Sequence, residues 1–92
     1  MKVINHIDER IILSDNTFVE VVVWEVSESL EGSEHQYRYR LALVIRSECV
    51  MRYDNEAGKG DHKHIGSKES DYDFTDIDRL LADFWNDVGR LT

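Results

Sequence analysis

Proline is absent from these 92 residues, and cysteine occurs once, at Cys49. Without proline there is no stiff linker and no proline-rich recognition tract. A single cysteine excludes an internal disulfide and a cysteine-pair zinc site, and it fits a reducing compartment, so a cytoplasmic protein is expected. Long apolar runs are missing too. The best, at 21–24 and 41–45, fall far short of the roughly 20 residues that a bilayer-spanning helix takes, so no membrane partner is expected. Asp8, Glu9 and Arg10 interrupt any signal-peptide core near the start. Cations are scarce, 11 against 19 acids for a net charge of −8. That balance excludes a general coat for nucleic acid, whose phosphates are contacted by Lys and Arg. No repeat or low-complexity tract divides the chain, so one domain over 1–92 is expected, with a single core.

The scarce cations are gathered in one place. Residues 1–34 hold two cations and eight acids, and residues 69–92 hold two cations and seven acids. The middle third, 35–68, holds seven cations (Arg38, Arg40, Arg46, Arg52, Lys59, Lys63, Lys68) against four acids. A basic region inside an acidic shell can hold one phosphodiester while the remainder repels non-specific polymer.

Hydrophobic patterning predicts an α+β fold, an antiparallel meander of four to five strands with one C-terminal helix on one face. Residues 2–13 read as a strand and 14–16 as a turn. Residues 18–26 are β-branched and aromatic on both faces, as in a strand covered on both sides or on one side by a partner. Residues 27–36 form a polar loop. Residues 37–46 alternate, with Tyr37, Tyr39, Leu41, Leu43 and Ile45 opposed to Arg38, Arg40, Ala42, Val44 and Arg46. Residues 49–53 return as the next strand and 62–65 as a short further one. Ile77, Leu80, Leu81, Phe84, Trp85, Val88 and Leu91 trace one stripe of a helix over 76–91 with Thr75 as its N-cap. Trp24, Trp85 and Cys49 read as core residues, and His6 and His35 as surface histidines.

The register between 37–46 and 49–54 decides where the charges lie. A two-residue turn would set Arg52 and Asp54 on the Leu41 face, whereas a three-residue turn with a bulge would set them beside Arg38 and Arg40. The bulged arrangement keeps charge out of the core and is the one expected.

Residues 52–66, RYDNEAGKGDHKHIG, carry the chemistry. They hold three glycines, two histidines, three cations and three acids but only Ala57 and Ile65 as aliphatics. A hairpin loop alone explains the glycines but not this clustering. Gly58 and Gly60 around Lys59 allow successive backbone N–H groups to cradle an anion. His62 and His64 can exchange protons near neutral pH, with His62 expected as the more intimate of the two because it directly follows the Gly-Lys-Gly-Asp turn and His64 as its support. Arg52 and Lys59 can steady charge on phosphorus, Asp54 or Asp61 can orient a histidine, and Lys63, Arg38 and Arg40 can hold further phosphates. Such a set suits metal-independent cleavage of RNA through its 2′-OH, with no cofactor. A metal hydrolase built on His62-x-His64 with Asp54 or Asp61 is the weaker reading, because no zinc spacing is present and Lys59 and Lys63 oppose a cation. A third reading is a module that binds an anion or a protein without catalysis.

Val23-Trp24, the stretch YRLALV at 39–44, residues 48–66 and LLADFW at 80–85 together resemble the TumE-type toxin family. The likeness spans essentially the whole chain, and YDNEAGKGDHKHIG is its most specific part. The resemblance implies a bacterial type II toxin acting on RNA and held inactive by a helix-turn-helix antitoxin. It implies no residue-level catalytic assignment. Whether the toxin is a homodimer is left open.

Overall fold

The computed structural model describes residues 3–26, 35–56 and 60–92. They form six strands and one helix: β1 (Val3–Ser14), β2 (Thr17–Val26), β3 (Tyr37–Ile45), β4 (Glu48–Glu56), β5 (Gly60–Ile65), β6 (Lys68–Asp71) and α1 (Ile77–Leu91). Every strand pairs antiparallel with its sequence neighbour, giving the order β1-β2-β3-β4-β5-β6. The expected α+β meander is present, with six strands instead of four to five. The extra strand, β6, is short, fully exposed and made of Lys-Glu-Ser-Asp, so it has no apolar alternation to reveal it.

Alternation builds the core. Val19, Val21 and Val23 from β2, Tyr39, Leu41 and Leu43 from β3, and Met51 and Tyr53 from β4 form one buried cluster with Leu80, Phe84 and Val88 of the helix. Leu81 and Trp85 pack at its margin. The helix is capped by Asp76, not Thr75: the Asp76 carboxylate accepts from the Arg79 N–H at 2.7 Å. Three tyrosines tie their hydroxyls to acids on this face: Tyr53 donates to Asp87, Tyr72 to Asp83 and Tyr39 to Asp61. Burial first, then these bonds, push all three phenols above their ordinary range. Asp83 is held below the usual carboxylate range, chiefly by the Tyr72 hydroxyl. Asp87 is buried although it sits on the polar side of the helical stripe, because Tyr53, Lys63 and Arg90 supply its partners.

The β3–β4 hairpin reaches the expected register by an unexpected route. Its turn is only two residues long, with Arg46 and Ser47 both at positive φ, 51° and 66°, the backbone of a tight hairpin that normally recruits Asn-Gly. A bulge then follows inside β4: Val44 pairs with Cys49 and Leu43 with Met51, leaving Val50 as the extra residue. The Val50 carbonyl accepts instead from the Gly66 N–H at 3.0 Å. The insertion flips the rest of β4, so Arg40 faces Asp54 and Ala42 faces Arg52 across the strand pair.

Two other expectations fail on burial. Cys49 is exposed, since it precedes the bulge next to the turn. Trp24 lies half-buried on the sheet face away from the helix, with the Arg38 guanidinium 5.7 Å from its ring centre. Among the described residues no element covers that face. No helix of the described residues is long and apolar enough to cross a membrane.

Candidate functional site

The helix-free face gathers the chemistry. Period-two alternation aims His62 and His64 to the same side of β5, and the flipped register of β4 brings Asp54 opposite His62 and Arg52 opposite His64. The hairpin at Gly66-Ser67 adds Asp71 opposite His62 and Glu69 opposite His64. Two cross-strand rows result, Arg40-Asp54-His62-Asp71 and Ala42-Arg52-His64-Glu69.

Contacts within the rows are close. The His62 Nε2 lies 2.8 Å from Asp54 Oδ1, and the Arg52 Nε lies 2.8 Å from Asp54 Oδ2. His62 is held from behind by its Nδ1, 3.1 Å from the Gly60 carbonyl. A carbonyl only accepts, so that Nδ1 carries the proton and donates. The two histidine rings meet edge to face at 5.1 Å between centres. The Glu69 carboxylate stands 3.9 Å from His62 Nε2 and 3.8 Å from His64 Nε2. Despite the short distances, Arg52 Nε, Asp54 Oδ1 and His64 Nε2 are buried and make no aligned hydrogen bond among the described residues. Groups of this kind are normally satisfied, so three of them together at one point call for an explanation.

Burial separates the two histidines. The side chain of His62 is 3 % exposed and that of His64 28 %. Arg52, at 32 %, is also open to solvent. Beside His64 and Arg52 lies a hollow of about 140 Å³ lined by Cys49, Val50, Met51, Arg52, His64 and Gly66. That is several times the roughly 30 Å³ a water occupies in the liquid. A larger hollow, about 350 Å³, sits at the β1–β2 turn among Ile12, Asn16, Phe18 and Arg46 and contains no histidine.

Other predicted site residues are placed differently. Lys63 points to the helix face, 3.6 Å from Asp87 and over the Tyr53 ring. Asp61 also points there. It does orient a histidine, but that histidine is His35, whose Nε2 lies 2.7 Å from Asp61 Oδ2. His35 is therefore not a surface residue: its side chain is 15 % exposed and its ring stacks on Phe74 at 3.8 Å. His6 is exposed and pairs with Glu25. Arg40 sits at the margin of the rows, 3.8 Å from Glu20, and Arg38 lies further out against Trp24. Gly60 opens β5 at φ 75°. Gly58, Lys59 and the loop centre lie outside the described residues, as does most of the polar loop expected over 27–36.

Glu69 is the member that patterning in the sequence did not expose. Its signal is the Gly66-Ser67 pair, which closes a two-residue hairpin and carries Glu69 back across to His64.

A family model for toxin TumE matches residues 2–92. The chain belongs to the TumE toxin family. Membership points to the toxin of a toxin–antitoxin system, and so to an antitoxin partner in general. No curated protein and no solved structure matches the chain.

Proposed function

We propose that this TumE-family toxin is a metal-independent endoribonuclease whose reacting groups lie on the helix-free face of β4 and β5. The observation that carries the reading is the partly exposed His64 side chain beside the partly exposed Arg52 at the edge of a hollow of about 140 Å³. In this reading His64 takes the proton from the 2′-OH. The 2′-oxygen bonds to phosphorus as the bond to the 5′-oxygen breaks, and the 5′-oxygen is protonated from solvent. Arg52 offers its guanidinium to the phosphoryl oxygens, where charge grows in the transition state. Arg40 and Arg38 extend the positive track for neighbouring phosphates. Lys59, which immediately precedes β5 in sequence, adds a further cation.

The burial of His62 changes its role from the one its position after the Gly-Lys-Gly-Asp turn suggests. A ring that is 3 % exposed does not reach a polymer in solution. His62 is a positioning residue, clamped between the Gly60 carbonyl and Asp54, and it sets the edge-to-face packing of His64. The antitoxin, of the helix-turn-helix type, silences the toxin by covering this face. The test is incubation of the purified chain with RNA in EDTA: cleavage is expected, and its loss is expected in His64→Ala. An RNA population left intact by the wild-type chain overturns the reading.

A further inference from the structure

The side chains that meet at the rows leave polar atoms unmatched. The His62 Nδ1–H is committed to the Gly60 carbonyl. Its Nε2 stands 2.8 Å from Asp54 Oδ1 without an aligned hydrogen bond to that oxygen. His64 Nε2 and Asp54 Oδ1 have no hydrogen bond among the described residues, and the Asp54 side chain is 8 % exposed. Donor atoms of Asp54, His62 and His64 all lie within 4.8 Å of one another. Lone pairs converging at this spacing are what a cation requires.

We propose that Asp54, His62, His64 and Glu69 form a binding site for a single divalent cation of the zinc class. Zinc bonds of about 2.0–2.2 Å place two tetrahedral ligands about 3.3 Å apart. The Asp54–His62 distance of 2.8 Å and the Glu69 distances of 3.8 and 3.9 Å to the two histidines lie on either side of that value. Two imidazoles suit zinc, cobalt or nickel over calcium or magnesium, which prefer oxygen alone. The outer contacts also fit. A metal-bound histidine commonly gives its other N–H to a carbonyl, as His62 does to Gly60. Arg52 occupies only the far oxygen of Asp54 and leaves Oδ1 to the site. Lys63, a cation adjacent to both histidines in sequence, is turned to the opposite face and paired with Asp87. The carboxylates of Asp54 and Glu69 offset the charge of the cation.

Resting on the ribonuclease reading, one consequence concerns regulation. A neutral imidazole has one free lone pair, and a cation bound to His64 takes it from the 2′-OH proton, so the loaded toxin is silent and the cation-free toxin active. The site is thus an inhibitory one.

The experiment is a titration of the untagged, EDTA-stripped chain with Co²⁺, followed by its visible absorption and then by displacement with Zn²⁺. One equivalent of Co²⁺ should produce the intense bands of a low-symmetry four-coordinate site, and Zn²⁺ should abolish them. His64→Ala and Asp54→Asn should lose the bands while keeping the wild-type circular dichroism. Glu69→Gln, at an exposed position, should weaken binding by about tenfold or more. His6→Ala should bind as the wild type does. No band in the wild type, or an undiminished band in His64→Ala, overturns the site. RNA cleavage assayed on the same samples separates the two proposals. Co²⁺ bands together with cleavage that needs the metal leave the site standing and remove the metal-independent reading. Cleavage in EDTA without any band does the reverse.

Discussion

His64 and His62 are two residues apart and share a strand face, yet their surroundings give them different work. His64 is the partly open one, beside Arg52 and the hollow, and in the ribonuclease reading it is the group that exchanges protons with the substrate. A general base contributes about 10²- to 10⁴-fold to rate. His64→Ala should therefore cut RNA cleavage by that order and relieve growth arrest when expressed without antitoxin, whereas His6→Ala should change neither. Equal toxicity of the two variants would remove His64 from the chemistry. The buried tyrosines make a second prediction at this scale. Tyr39 and Tyr53, each 1 % exposed, have phenols raised from the ordinary 10.0 by burial and by Asp61 and Asp87. Above that pH the unfolded chain loses protons that the folded chain keeps. Stability is then fully present below pH 10 and falls as pH climbs past it, by about 1.4 kcal/mol per pH unit for each tyrosine. Urea unfolding at a series of alkaline pH values reads this directly, and a midpoint that stays level would contradict it.

At the scale of elements, the β3–β4 hairpin does the positioning. The bulge at Val50 turns Arg52 and Asp54 away from the core and toward His62 and His64. The tight turn before it holds Arg46 and Ser47 in left-handed backbone, which costs roughly 1–2 kcal/mol per residue with a side chain. Ser47→Gly should therefore raise stability by about 1 kcal/mol, read as a higher urea midpoint. A lower midpoint would mean that the turn is not strained as drawn. Much of this was legible beforehand. Clean alternation over 37–46 and the helical stripe from Ile77 to Leu91 identify β3 and α1, because one face of each must be buried. The charge segregation of Arg38, Arg40, Arg52 and Asp54 pointed to a bulge, but its place was not visible. Nothing in Cys49-Val50-Met51 distinguishes a bulged residue from a paired one. Strand β6 was hidden because an exposed edge strand needs no apolar residue. Lys63 and Asp61 were drawn into the site by sequence proximity, while alternation sends both to the helix face. His35 was missed because its partner, Asp61, is 26 residues away.

The whole molecule is a sheet with one face closed by the helix and the other left, among the described residues, without a covering element; the proposed function assigns the first to stability and the second to chemistry. The helix covers the first and supplies Leu80, Phe84 and Val88 to the buried cluster. Phe84, fully buried and edge-on to Tyr53 at 5.7 Å, is the centre of that contact. Truncation to Ala should cost about 3–5 kcal/mol, a large share of the stability of a small domain. An unchanged melting temperature in Phe84→Ala would show that the helix does not close the core. The second face is left to the basic third of the chain, and in the ribonuclease reading this acidic protein presents Arg38, Arg40, Arg52 and two histidines there to a phosphodiester while its flanks repel polymer elsewhere. That division of labour is most directly tested by a single assay. The purified, antitoxin-free wild-type chain and His64→Ala, matched for circular dichroism and melting temperature, are incubated with total RNA in excess EDTA, and the fragments are resolved. Cleavage by the wild type with the variant reduced by at least about 10²-fold is the expected result. Intact RNA with the wild type, or equal cleavage by both chains, would contradict the account.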